Sequence, residues 1–110
     1  MRYFVKTTPE FDSRLKRLLR KYPSLSTEFK ELVIVLAENP GHGISLGQGC
    51  YKTRLSIASK GKGKSGGARV IYYVHVSMTT VYLLTIFDKS ERESLSPIEL
   101  KELLSSLDRS

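Results

Sequence analysis

The sequence predicts an α+β domain: a small antiparallel sheet of four strands, element order β-α-α-β-β-β-α, with the helices packed on one face. Three observations carry this prediction. Apolar residues recur at helical spacing through residues 11–36, they alternate or run on through residues 51–87, and a capped apolar stripe closes the chain. A length of 110 residues is that of one domain, 1–110, with one modest core.

The elements follow in order. RYFVK, residues 2–6, is short and rich in strand formers. Thr8-Pro9 is a helix start, with Thr8 as N-cap and Pro9 in the first turn. Phe11, Leu15, Leu18, Leu19 and Tyr22 then fall on one stripe, and Pro23 stops the helix. Ser24 caps a second helix, whose stripe is Leu25, Phe29, Leu32, Val33 and Leu36, and Asn39-Pro40-Gly41 ends it. Residues 40–50, PGHGISLGQGC, read as a glycine-rich loop. From Tyr51 the chain alternates: Tyr51, Thr53, Leu55 and Ile57 point one way, Lys52, Arg54, Ser56 and Ala58 the other. ARVIYYVHV, residues 68–76, is a strand of β-branched and aromatic residues. Arg69, Ile71, Tyr73 and His75 share one of its faces. TVYLLTIF, residues 80–87, is nearly all apolar, as in a central strand covered on both sides. The first strand is expected beside this last one. Ser96-Pro97-Ile98-Glu99 is a capping box, with Leu95 and Leu100 at the staple positions and a stripe of Leu100, Leu103, Leu104 and Leu107. With the helices on one face, the other face stays open and carries Lys52, Arg54, Ser56, Arg69 and Tyr73.

Charge points to a polyanionic partner. The net charge is +7, and no Asp or Glu occurs between Asn39 and Phe87, where Lys52, Arg54, Lys60, Lys62, Lys64 and Arg69 all fall. No apolar run approaches the roughly 18 residues of a membrane helix, and the N-terminus holds no long apolar segment, so neither a membrane span nor a signal peptide is expected. A single cysteine, Cys50, and two isolated histidines, His42 and His75, make neither a disulfide framework nor a metal set; a cytoplasmic setting and no metal are expected.

The stretch ASKGKGKSGG, residues 58–67, imitates a phosphate-binding loop. Such a loop must lead into a helix whose N-terminus faces phosphate. Here it leads into ARVIYYVHV, a strand, so no nucleotide cofactor is expected. It reads instead as a basic hairpin loop in which Lys60, Lys62 and Lys64 neutralise nucleic-acid phosphates.

CYKTRL, residues 50–55, and GARVIYY, residues 67–73, resemble the RelE/ParE superfamily of toxins from type II toxin–antitoxin pairs. The longer run YKTRLSIASKGKGKSGGARVIYYV followed by VYLLTIFDKSE looks most like the RelE/HigB-type branch. The resemblance implies the family's fold, a cognate antitoxin as partner, and cleavage of messenger RNA in the ribosomal A site. In that reaction a ribose 2′-OH attacks the adjacent phosphate, without a metal. The family's basic pair falls on Lys52 and Arg54, its strand arginine on Arg69, and its later basic cluster partly on Lys89 and Arg92. The chemistry suits these residues: Lys52 as base, Arg54 and Arg69 for the charge on phosphorus, Lys89 or Arg92 for a flanking phosphate or the leaving group, Tyr73 for stacking on a base. Ser90 stands where the better-known members carry another arginine, and their terminal catalytic tyrosine has no counterpart, since Leu95-Ser96 opens the last helix instead, so the resemblance assigns no general acid. The alternatives are a ParE-like inhibitor of DNA gyrase, which does not need the basic cluster, and an inactive nucleic-acid-binding module.

Overall fold

The computed structural model describes residues 2–58, 67–92 and 94–107. Strand β1 (Phe4–Thr7) is followed by helices α1 (Pro9–Lys21) and α2 (Leu25–Glu38), then strands β2 (Ile44–Gly47), β3 (Cys50–Ser56), β4 (Gly67–His75) and β5 (Thr80–Asp88), and helix α3 (Pro97–Leu107). The strands form one sheet in the order β1-β5-β4-β3-β2.

The α+β class and the expected helices are present, with three differences. The sheet has five strands, because part of the glycine-rich segment is β2. Gly47, Gln48 and Gly49 all have left-handed backbone, with φ of 89°, 56° and 81°, and this turn folds Ile44–Gly47 back antiparallel onto β3. The glycines that make the turn also hide the strand pattern. The sheet is mixed rather than antiparallel: β1 lies beside β5, as expected, but parallel to it. The two helices between β1 and the rest of the sheet make that crossover possible.

The third difference concerns the layers. The helices do not all sit on one face. Phe11 and Leu18 of α1 and Leu25, Leu32 and Leu36 of α2 pack with Leu55, Val70, Tyr72, Val81, Leu83 and Ile86. On the opposite face Leu100, Leu103, Leu104 and Leu107 of α3 pack on Cys50, Ile71, Leu84 and Phe87. The reason is the strands' own alternation. Cys50, Ile71 and Phe87 share parity with the cations, so that face is half apolar and needs a cover. The open face is therefore only the part of the sheet that α3 leaves bare.

Local chemistry sets the ends of these helices. Thr8 Oγ1 accepts from the Phe11 backbone N–H at 3.1 Å and so caps α1. The same hydroxyl donates to the Leu84 carbonyl at 3.2 Å. Leu84 is the extra residue of a bulge in β5, since Ile71 faces Thr85 and Tyr72 faces Leu83. Thr8 thus closes the helix and ties it to β5. Ser24 does not cap α2: its backbone is already helical and its hydroxyl donates to Glu28 Oε1 at 3.2 Å. Ser96 and Glu99 form the expected box, Ser96 N–H to Glu99 Oε1 at 2.9 Å and Glu99 N–H to Ser96 Oγ at 3.2 Å.

Candidate nucleic-acid interface

Lys52 and Arg54 stand on β3 between core residues: Tyr51, Thr53 and Leu55 point at α1 and α2, so the two cations point the other way. On β4, Val70 and Tyr72 go to the same core, and Arg69 to the cations' face. Arg54 lies directly opposite Arg69, and Lys52 opposite Ile71. Like charges facing across two strands oppose folding, by about 0.2–1 kcal/mol. Arg69 is only half exposed, and its Nε is buried with no hydrogen-bond partner among the described residues. A guanidinium N–H left in this way is costly unless an acceptor arrives. Three cations share this patch, one with an unused donor, and the absence of acid between Asn39 and Phe87 leaves the patch uncompensated in sequence, an arrangement able to meet an anionic group.

Phe87, on β5, is the cross-strand neighbour of Arg69 on its other side. Arg92 lies over the Phe87 ring, its guanidinium carbon 5.4 Å from the centroid. Arg92 is already engaged by Glu99 and Ser94. It binds Glu99 through both terminal nitrogens, at 3.0 and 2.6 Å, and its Nε and Nη2 reach the Ser94 carbonyl at 3.2 and 3.0 Å. The pair is mutually stabilised: hydrogen bonding to Arg92, with the Ser96 N–H, holds the Glu99 carboxyl down at about 2, and hydrogen bonding to Glu99 raises Arg92. Arg92 is therefore near the basic patch but serves as the latch between α3 and β5.

Lys89 follows β5, half-buried, with its N–H donating to the Gly67 carbonyl at 3.0 Å, at the same end of the sheet as Arg69. Tyr73 is elsewhere. It lies four residues along β4 from Arg69, about 13 Å by strand rise, stacked with Tyr82 and edge-on to His75. Lys60, Lys62 and Lys64 lie outside the described residues.

Two further groups position the site. Asp88, buried at the end of β5, accepts from the Tyr22 hydroxyl at 3.1 Å and from the Ser90 N–H and hydroxyl at 2.9 and 2.8 Å. Ser90 thus has a structural role in the turn that carries Lys89 and Arg92. An acid ending an apolar strand in a basic region was the available signal. Tyr72 is the second. Its hydroxyl donates to the Pro40 carbonyl at 2.8 Å and accepts from the Gly43 N–H at 2.9 Å. A Cβ on Gly43 would lie 2.5 Å from the Lys52 carbonyl oxygen, so glycine alone permits this approach. Tyr72 also stacks on Tyr51, centroids 5.4 Å apart, and both are packing residues. Cys50 is fully buried and burial pushes its thiol up to about 11, which suits packing under α3 and not nucleophilic chemistry. Among the described residues no three His, Cys, Asp or Glu side chains gather into a metal site, and no helix is long and apolar enough to cross a membrane.

The family described as the RelE toxin of the RelE/RelB toxin–antitoxin system matches residues 15–107. The chain belongs to the RelE toxin family. Among solved structures it is similar to a mutant of the Escherichia coli toxin RelE in the free state, at 22% identity and a TM-score of 0.57 over 84% of this chain and 90% of that one. A metal-bound toxin from Helicobacter pylori matches at 20% identity and a TM-score of 0.51, covering 81% and 97% of the two chains. These likenesses establish the RelE-like fold. Family membership makes the chain the toxin of a toxin–antitoxin system, with a cognate antitoxin as partner.

Proposed function

We propose that this RelE-family toxin is a ribosome-dependent, metal-independent endoribonuclease that cuts messenger RNA in the A site, with Lys52, Arg54 and Arg69 as its catalytic residues. The observation that carries the reading is the cross-strand pair Arg54–Arg69, with a buried Arg69 donor lacking any partner among the described residues and Lys52 one step along the same face. Lys52 is the base in this reading and takes the proton of a ribose 2′-OH. The 2′-oxygen bonds to the adjacent phosphorus, the bond from phosphorus to the 5′-oxygen breaks, and a 2′,3′-cyclic phosphate remains. The departing 5′-oxygen takes a proton from water. Arg54 and Arg69 meet the negative charge that grows on the equatorial oxygens, the term that contributes most in such sites. Lys60, Lys62, Lys64 and Lys89 hold flanking phosphates, Tyr73 meets a base, and Arg92 joins them once Glu99 releases it. Growth of cells induced for this chain alone, with 5′-end mapping of their transcripts, tests the reading. Cuts inside translated codons, lost with Arg69→Ala, are expected. Arrest without cuts would instead favour a gyrase-directed toxin, and neither arrest nor cuts an inactive binding module.

A further inference from the structure

We infer that the cleft between the far end of β4–β5 and the last turns of α3 is a subsite for one base of single-stranded RNA, read by Gln48; this rests on the proposed action on RNA. The cleft has a volume of about 460 Å³, within the range of small-ligand sites. Tyr73, His75 and Tyr82 form its aromatic wall, and Leu104 and Leu107 close the other side. Tyr73 and Tyr82 lie nearly parallel, 19° between planes with centroids 6.5 Å apart, while His75 meets Tyr73 edge-on at 5.9 Å. None of its described lining residues is Lys, Arg, Asp or Glu. The cleft therefore does not select a phosphate. It suits a planar, neutral, aromatic group with polar edges.

Gln48 supplies the reader for those edges. It is held at φ 56° between Gly47 and Gly49, in the left-handed region where glycine would sit without strain, yet a glutamine occupies it and lines the cleft. Its amide offers one acceptor and two donors, the complement of a base edge. The turn that carries it is fitted to the aromatic wall. A Cβ on Gly49 would lie 2.8 Å from the Tyr73 ring, and the Gly49 carbonyl accepts from the Val74 N–H at 2.9 Å. The cleft is also on the cations' face of the sheet. Tyr73 is four residues from Arg69 on one strand, about 13 Å away, so RNA with a phosphate at Arg69 has a nearby base within reach of Tyr73. Stacking there tolerates any base, and the Gln48 amide adds a preference.

Adenosine, which has no phosphate, is the probe. Titrated into the full chain and followed by NMR, it is expected to shift the Gln48 side-chain amide and the Tyr73 and His75 ring signals. Ribose 5-phosphate is expected to leave them unmoved. Gln48→Gly relieves the backbone and removes the amide, so it should melt no lower than the wild type and bind adenosine about 3- to 10-fold more weakly. Arg69→Ala should bind adenosine as the wild type does. The inference is overturned if adenosine leaves the cleft signals unmoved, or if Gln48→Gly and His75→Ala both bind it with wild-type affinity. Cell transcripts that stay uncut while adenosine still binds the cleft would remove the nuclease reading and leave this subsite standing. Cut transcripts with no adenosine binding would do the reverse.

Discussion

Removing one oxygen from the core should loosen the strand beside Lys52. Tyr72 is fully buried, and burial, set against the Gly43 hydrogen bond, raises its phenol, which stays protonated and donates to Pro40. Its hydroxyl is the strap that holds the Pro40–Gly43 segment against β3, where Ile44 pairs with Lys52. Tyr72→Phe keeps the ring and its stack on Tyr51 but deletes both hydrogen bonds. Each contributes about 1 kcal/mol, and the half-exposed Pro40 and Gly43 can recover part of the loss from water, so the expected cost is about 1–2 kcal/mol. For a domain of this size that lowers Tm by about 5–12 °C. Thermal unfolding by circular dichroism reads the total. Amide exchange at Ile44 and Lys52 reads the location, with β2 protection falling before that of β4 and β5. A Tm within about 1 °C of wild type, with β2 protection unchanged, would refute the strap.

Other consequences follow from the same contacts. The Glu99 carboxyl is held down at about 2 against an ordinary 4.5, so its contribution to stability is present above about pH 4.5 and fades as pH falls toward 2. The Tm advantage of wild type over Glu99→Gln should shrink across that window; a constant difference would contradict the Arg92–Glu99 latch. Arg54→Ala relieves the like-charge pair with Arg69 and is expected to hold or raise Tm while abolishing cleavage, whereas a clear loss of stability would show that Arg54 supports the fold. Thr8→Ala removes both the α1 cap and the tether to the Leu84 carbonyl, an expected loss of about 1–2 kcal/mol in denaturant unfolding. Asp88→Ala removes the acceptor of the Tyr22 hydroxyl and of the Ser90 N–H and hydroxyl and should cost about 1–3 kcal/mol, with the turn before Arg92 losing exchange protection.

Elements with local signals were legible. Thr8-Pro9 and Ser96–Glu99 announce their helices through capping chemistry confined to four residues, and both caps form. Strand parity was legible too: once Tyr51 and Leu55 are taken as core, Lys52 and Arg54 must face away, and Val70 and Tyr72 place Arg69 with them. The opposition of Arg54 and Arg69 needed the strand register, which residue spacing alone does not set. Three features depended on long-range geometry. β2 hides because Gly47 and Gly49 break its alternation, and only its pairing with β3 makes it a strand. The side chosen by α3 was written in Cys50, Ile71 and Phe87, apolar residues on the cations' face, but outweighed by the charges between them. Arg92 reads in sequence as a free cation, and only the return of α3 brings Glu99 to it, seven residues on.

On the proposed function, the face bearing Lys52, Arg54 and Arg69 cuts RNA through a ribose 2′-OH. Purified chain added to ribosomes programmed with a short messenger, either all-ribose or with one 2′-deoxy sugar at the cut position, tests it most directly. A cut in the all-ribose messenger ending in a 2′,3′-cyclic phosphate is expected, with none at the deoxy position and none anywhere with Arg69→Ala. A cut that persists at the deoxy sugar, or with Arg69→Ala, would contradict it.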